Sequence, residues 1–200
     1  MPIADAFGPT TSTVSGGDLV LIYSEVLTSD SLDIDTGSLA AFADYKDVRC
    51  VLRDIRSDRA STTGVTSGVR MFINNDQTGA NYLRAYLEYP TSGSGVTTSS
   101  SQSNFISTIP SANETPHNGL QARNGIVVDI LSINSSRPKQ YMVFSGRTSP
   151  SFGGNGDESR AYIRIGSYYG TAEPITRLVF ADSNGDDLLA GASLSIYGLK

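Results

Sequence analysis

Apolar residues along this chain recur mainly at alternate positions, the period of strands whose two faces differ. Residues 19–26 form an apolar run that passes into alternation, which predicts a strand covered on both sides at its start. Residues 31–35 alternate, with Leu32 and Ile34 expected inward. Residues 39–43 are the one stretch suited to a helical turn. In residues 47–56, Val48, Cys50 and Leu52 fall on one side and Arg49 and Arg53 on the other. Ile55 breaks that phase and marks a bulge or an end. Val69, Met71 and Ile73 form the next inward set, followed by a turn over 74–79 dense in Asn, Asp and Gly. Leu83, Ala85 and Leu87 are expected inward, with Tyr82, Arg84, Tyr86 and Glu88 as an amphipathic outer face.

Residues 91–103 are almost entirely Ser, Thr and Gly and predict a long exposed loop. Strand character resumes over 105–109, and a polar, irregular stretch over 111–124 follows. Ile126, Val128 and Ile130 alternate inward, and residues 141–144 are a further strand. After a second Gly-rich loop over 149–157, Ala161, Ile163 and Ile165 are expected inward against Tyr162 and Arg164. Residues 175–180 read as another strand, 182–187 as a turn, and Leu194 and Ile196 as inward positions of the closing strand. Roughly ten short strands with no convincing helix predict an all-β sandwich or barrel. One domain spans 19–200. Residues 1–18 form an extended N-terminal arm, with Ile3 and Phe7 as its candidate partner-binding anchors.

Composition narrows the function. The 20 glycines in 200 residues exceed the usual share of about 7%, in keeping with many turns. A single cysteine excludes an intrachain disulfide framework. The first residues carry no basic region followed by an apolar core, so no signal peptide is expected, and no window approaches a spanning helix. A net charge of -5 disfavours nucleic acid and anionic membranes as partners.

The chemistry-bearing residues are sparse. His117, the only histidine, lies in a polar stretch and reads as a solvated loop residue. Cys50 falls on a buried set and reads as a small core hydrophobe. One His and one Cys exclude a standard structural zinc site. The acids Asp33, Asp35, Asp54, Glu88 and Asp129 are spread over different strands, and the sequence alone places no two of them at the separation a glycosidase requires. Residues 182–187 resemble half a calcium loop, but the glycine is misplaced, and a tight turn on Asn184 and Gly185 fits better. Tyr168 and Tyr169 would suit a sugar platform, yet adjacent strand residues face opposite ways, so one belongs to the core. No catalytic residue, metal or cofactor is expected.

Taken in order, several pieces resemble a group of tailed-bacteriophage virion structural proteins. They are Tyr45-Lys46-Asp47-Val48-Arg49, then Phe72 to Tyr82 through Asn74-Asn75-Asp76-Gln77-Thr78-Gly79, then Ala172 to Leu178, and the closing Gly191 to Leu199. The likeness covers roughly residues 19–200, and Tyr168 or Tyr169 stands where that group often carries Trp. The resemblance implies a jelly-roll antiparallel β-sandwich displayed on a virion and made in the host cytoplasm. It also implies a homo-oligomer, often a trimer, bound to the major capsid protein or other virion subunits. The implied roles are a head decoration or cement protein that stabilises the shell, or a tail-fibre or receptor-binding tip that engages a host-surface glycan. Only about 18 residues precede the first strand, which favours decoration, since a fibre tip normally follows a long attachment region.

Overall fold

The computed structural model describes residues 19–58, 67–90, 97–109, 124–147 and 160–200. Ile3, Phe7, His117 and the whole of the second Gly-rich loop lie outside them.

Twelve strands appear among the described residues: β1 (Val20–Val26), β2 (Asp33–Asp35), β3 (Asp47–Arg53), β4 (Ser67–Ile73), β5 (Tyr82–Pro90), β6 (Thr97–Gln102), β7 (Phe105–Ile109), β8 (Asn124–Leu131), β9 (Lys139–Arg147), β10 (Arg160–Tyr168), β11 (Leu178–Asp182) and β12 (Ser193–Leu199). Two short 3-10 turns, Ala40–Asp44 and Gly79–Asn81, are the only helical elements there, and the first falls where the sequence left room for one. All named strand pairs are antiparallel. Eight strands form one sheet in the order β1-β12-β3-β8-β9-β10-β5-β6, and four form the other in the order β2-β11-β4-β7. The chain passes from sheet to sheet at β1–β2, β2–β3, β3–β4, β4–β5, β6–β7, β7–β8, β10–β11 and β11–β12.

The two sheets pack as a sandwich around one apolar core. Its large-sheet side is Val48, Cys50 and Leu52 of β3, Ile126, Val128 and Ile130 of β8, Tyr141 and Val143 of β9, and Leu194 and Ile196 of β12. Ile34, Val69, Met71, Ile73, Leu178 and Phe180 face them from the small sheet, and Phe42 of the first 3-10 turn is fully buried. Ile34 and the sets of β3, β4, β8 and β12 are the positions that alternation marks as inward. β3 stops at Arg53, Asp54 takes a positive φ of 54°, and Ile55 turns back into the core, which explains the broken phase.

Six expectations need correction. Leu83, Ala85 and Leu87 were expected inward on β5, and Ala161, Ile163 and Ile165 on β10. Instead Tyr82, Tyr162, Arg164 and Tyr168 are buried, while Leu83 and Ile165 are exposed. The cause is the unequal width of the sheets. The inward side chains of β5 and β10 reach β7, the edge strand of the small sheet, where polar backbone needs donors. Arg84 donates to the Phe105 carbonyl at 2.7 Å and Arg164 to that of Ile106. Both guanidinium groups also stack on the Phe105 ring, at 4.9 and 5.1 Å from its centre. Aliphatic side chains would leave those carbonyls unpaired.

Residues 97–102 of the expected loop are strand β6, which runs along β5 as the outer edge of the large sheet. An edge strand can be stabilised by its backbone ladder alone, so it requires no apolar alternation. The N-terminal run is not covered on both sides: among the described residues β1 pairs only with β12, and Val20, Leu21 and Val26 are exposed. Leu32 lies outside the short β2 and is 63% exposed. The strand expected over 175–180 begins only at Leu178. The Asn74 side-chain carbonyl takes the N–H groups of Thr176 and Arg177 at 2.8 and 3.2 Å and holds them out of the ladder.

The turn over residues 74–81 is fixed by a compact polar network. Asn74 and Asn75 both take positive φ, as Asn tolerates. The Tyr82 hydroxyl accepts the Ile73 N–H and donates to the Asp76 carbonyl, each at 2.8 Å. The Asp76 carboxylate accepts from Asn81, from the Thr78 N–H and from the Tyr168 hydroxyl. Tyr82 and Tyr168 pack together with ring centres 4.8 Å apart.

Candidate functional site

The inverted strands leave an unusual surface on the large sheet. In an antiparallel ladder, residues directly opposite share a face, so the register traces rows across the sheet. One outward row runs Leu87, Ile163, Phe144, Val127, Val51, in unbroken register across β5, β10, β9, β8 and β3. The adjacent row, on the Tyr82 side, runs Ala85, Ile165, Met142, Asp129, Arg49, Tyr197 and Leu21. Leu83 and Leu131 extend the apolar area past this second row, and both are exposed. Phe144 is 42% and Ile165 57% exposed. The middle strands β8 and β9 therefore carry large apolar side chains on both faces, one set against the sandwich core and the other pointing away from it.

The charges on this face cancel. Arg49 and Asp129 stand directly opposite each other and form a two-pronged ion pair, with Nε to Oδ1 at 2.7 Å and Nη2 to Oδ2 at 2.9 Å. That carboxylate holds the Arg49 guanidinium even more firmly charged than usual. Asp47 and Arg53 mark the two ends of β3 on the same face. Polar residues surround the apolar centre: Gln140 and Ser167 lie opposite each other at one end, and Ser24 and Ser195 at the β1 side.

The chemistry-bearing residues singled out from the sequence do not converge. Cys50 lies fully buried under the large sheet, and burial, with Asp129 nearby, pushes its thiol well above the usual range. Asp33 and Asp35 sit on β2 of the small sheet, while Asp129 points outward from β8 of the large one. Asp35 is engaged by Arg177, whose Nε lies 2.8 Å from its Oδ1, and this hydrogen bonding holds its carboxyl below the usual range. Asp33 is shifted the other way, chiefly by burial and then by Asp35. Asp182 begins a tight turn by accepting the Asn184 N–H at 2.7 Å, and Gly185 takes a φ of 82°. Tyr168 belongs to the core and Tyr169 is exposed, as their adjacency requires.

No family model, curated protein or solved structure matches this chain. Among the described residues there is no group of three or more His, Cys, Asp or Glu side chains placed to hold a metal ion, and no helix long and apolar enough to cross a membrane. The outward face of β5, β10, β9, β8 and β3 is thus the candidate functional surface. Sequence reading missed it because it assigned the aliphatic set of β5 and β10 to the core. One signal was available: β8 and β9 carry Val127, Leu131, Met142 and Phe144 between their inward residues, too many apolar side chains for a strand with one wet face.

Proposed function

We propose that this chain is a non-enzymatic structural protein of a tailed-phage virion, a capsid decoration or cement protein that binds the assembled shell and stabilises it. The observation that carries this reading is the broad, charge-balanced apolar face of the large sheet. Such a surface suits recognition by contact area and shape. The strand order supports a jelly-roll reading. Two antiparallel sheets, β1-β12-β3-β8-β9-β10-β5-β6 and β2-β11-β4-β7, pack as a sandwich, and the chain crosses repeatedly between them. The resemblance of residues 45–49, 72–82, 172–178 and 191–199 to phage structural proteins points the same way.

A ligand that binds only the assembled shell stabilises that state by mass action, and symmetry multiplies modest contacts. The test is co-sedimentation of the purified chain with empty shells, followed by a count of copies per particle. Hundreds of copies and a raised shell melting temperature are expected. A few dozen copies at the tail would instead favour the receptor-binding alternative, and no binding to any part of the particle ends the proposal.

A further inference from the structure

We propose that the outward face of the large sheet is a self-association surface, taking the same face of a second copy of this chain. This rests on reading that face as a contact surface and goes further by giving it a second copy as occupant, so that a shell would be met by the other surfaces of the paired molecule.

Size is the first argument. At about 4.8 Å per strand and 3.3 Å per residue, the apolar centre over five strands and five residues covers roughly 400 Å² in plan, and the eight-stranded face roughly 900 Å². A specific interface of standard size covers about 800 Å² per partner, with an apolar core inside a polar rim. The face has that anatomy, with Phe144, Ile163, Ile165 and Val127 at the centre and Ser195, Ser24, Gln140 and Ser167 at the margin.

Charge is the second. The chain carries 20 acidic and 15 basic residues, so two copies repel on average. Among the described residues, the outer face holds two acids, Asp47 and Asp129, against two bases, Arg49 and Arg53. Arg49 and Asp129 already neutralise each other within one copy. Pairing like with like therefore brings no unbalanced charge into the contact, whereas a shell surface would need a matching apolar patch of its own. Shape is compatible, because two sheets of the same twist stack at about 10 Å, as the two layers of any sandwich do. The contact is isologous, so it builds dimers or even-numbered assemblies.

Sedimentation velocity on the full chain tests this over about 1 to 500 µM, the range in which moderate affinities show. A concentration-dependent dimer is expected. Phe144→Glu and Ile165→Lys should each weaken it about 30-fold or more, as loss of a central contact does. Leu32→Glu, exposed but off this face, should leave it unchanged. Far-UV circular dichroism checks the fold of each variant, and Met142→Lys replaces either one that misfolds. A wild-type monomer throughout, a trimer indifferent to these variants, or a monomer that dimerises only on removal of residues 2–17 overturns the inference. The same variants assayed on empty shells separate the two readings. A monomer whose shell binding is lost with Phe144→Glu assigns the face to the shell and ends the pairing. A dimer that never binds shells ends the proposed function and leaves the pairing intact.

Discussion

The orientation of β10 decides what this molecule shows to its surroundings, and a pair of threonine substitutions tests it. Ile165 is 57% exposed on β10, whereas Val128 is 0% exposed on β8, between Cys50 and Val143 in the ladder. Full burial of an isoleucine side chain is worth about 1.5–3 kcal/mol. Less than half of that is realised at Ile165 within one copy, and threonine keeps the β-branching that strands favour. Ile165→Thr should therefore cost under about 1 kcal/mol. Val128→Thr keeps shape but places a hydroxyl among apolar neighbours, which costs about 1–3 kcal/mol for the unmet hydrogen bond and nearly 1 more for the lost methyl. Urea titration followed by circular dichroism reads the difference. With a slope near 3 kcal/mol per molar, Val128→Thr should lower the midpoint by about 1 M and Ile165→Thr by under about 0.3 M. The measurement belongs at the lowest workable protein concentration, where any pairing of copies contributes least. Equal midpoint losses would mean that the aliphatic side of β10 is packed inside the molecule, and the outward face described above would not exist.

Tyr82→Phe removes the hydroxyl that takes the Ile73 N–H, so a buried donor is stranded; a loss of about 2 kcal/mol is expected by urea unfolding, and Tyr169→Phe should be neutral. Gly166→Ala should cost about 1–3 kcal/mol, because a methyl there meets the Tyr141 ring and the Leu83 carbonyl, while Gly146→Ala meets nothing and should show no such loss. Acid stability follows from Asp35 and Asp76. Arg177 hydrogen bonding holds Asp35 low. Burial pushes Asp76 up, but the bonds from Asn81, Thr78 and Tyr168 together outweigh it and hold that carboxyl low as well. Both are depressed in the folded state, so their contribution is full above the unfolded value near 3.9 and disappears as pH falls through the folded ones. Asp33, raised chiefly by burial, opposes this in the same range. Thermal melts from pH 6 to 2 should fall below pH 4, and Asp76→Asn should flatten that fall.

Alternation was decisive wherever one set of positions was aliphatic and the other was not. Val48, Cys50 and Leu52, then Ile126, Val128 and Ile130, lie inward as their pattern demands. It misled on β5 and β10, where the choice lay between Leu, Ala and Ile on one side and Tyr and Arg on the other. Hydropathy favours the aliphatic set, but Tyr and Arg carry long apolar stems with polar ends. The unpaired edge of β7 makes those ends useful inside, and no local pattern reveals which strand lies opposite which. β6 was invisible for a related reason, since 97–102 has no apolar set to alternate and its strand character comes from pairing with β5. Ile3 and Phe7, the anchors expected on the arm, lie outside the described residues.

An outward face with an apolar centre carries a definite thermodynamic consequence. Stacking two copies would cover about 800 Å² in plan, but Arg49, Asp129, Gln140 and Ser167 occupy part of it, so the gross apolar gain stays below roughly 20 kcal/mol at 25 cal/mol per Å². Lost translational and rotational freedom offsets about 4–15 kcal/mol of it. Ordering of interface side chains offsets more, and the modest surplus places the dissociation constant in the micromolar-to-millimolar range. An interface at the weak end of that range stays open in dilute solution and closes when copies are held side by side. A repetitive shell supplies that crowding, since neighbouring sites raise the effective concentration into the millimolar range. Self-association through this face and binding to a shell would then reinforce each other. A variant with an interrupted face, such as Phe144→Glu, should bind shells with reduced cooperativity even where each isolated site is filled with unchanged affinity.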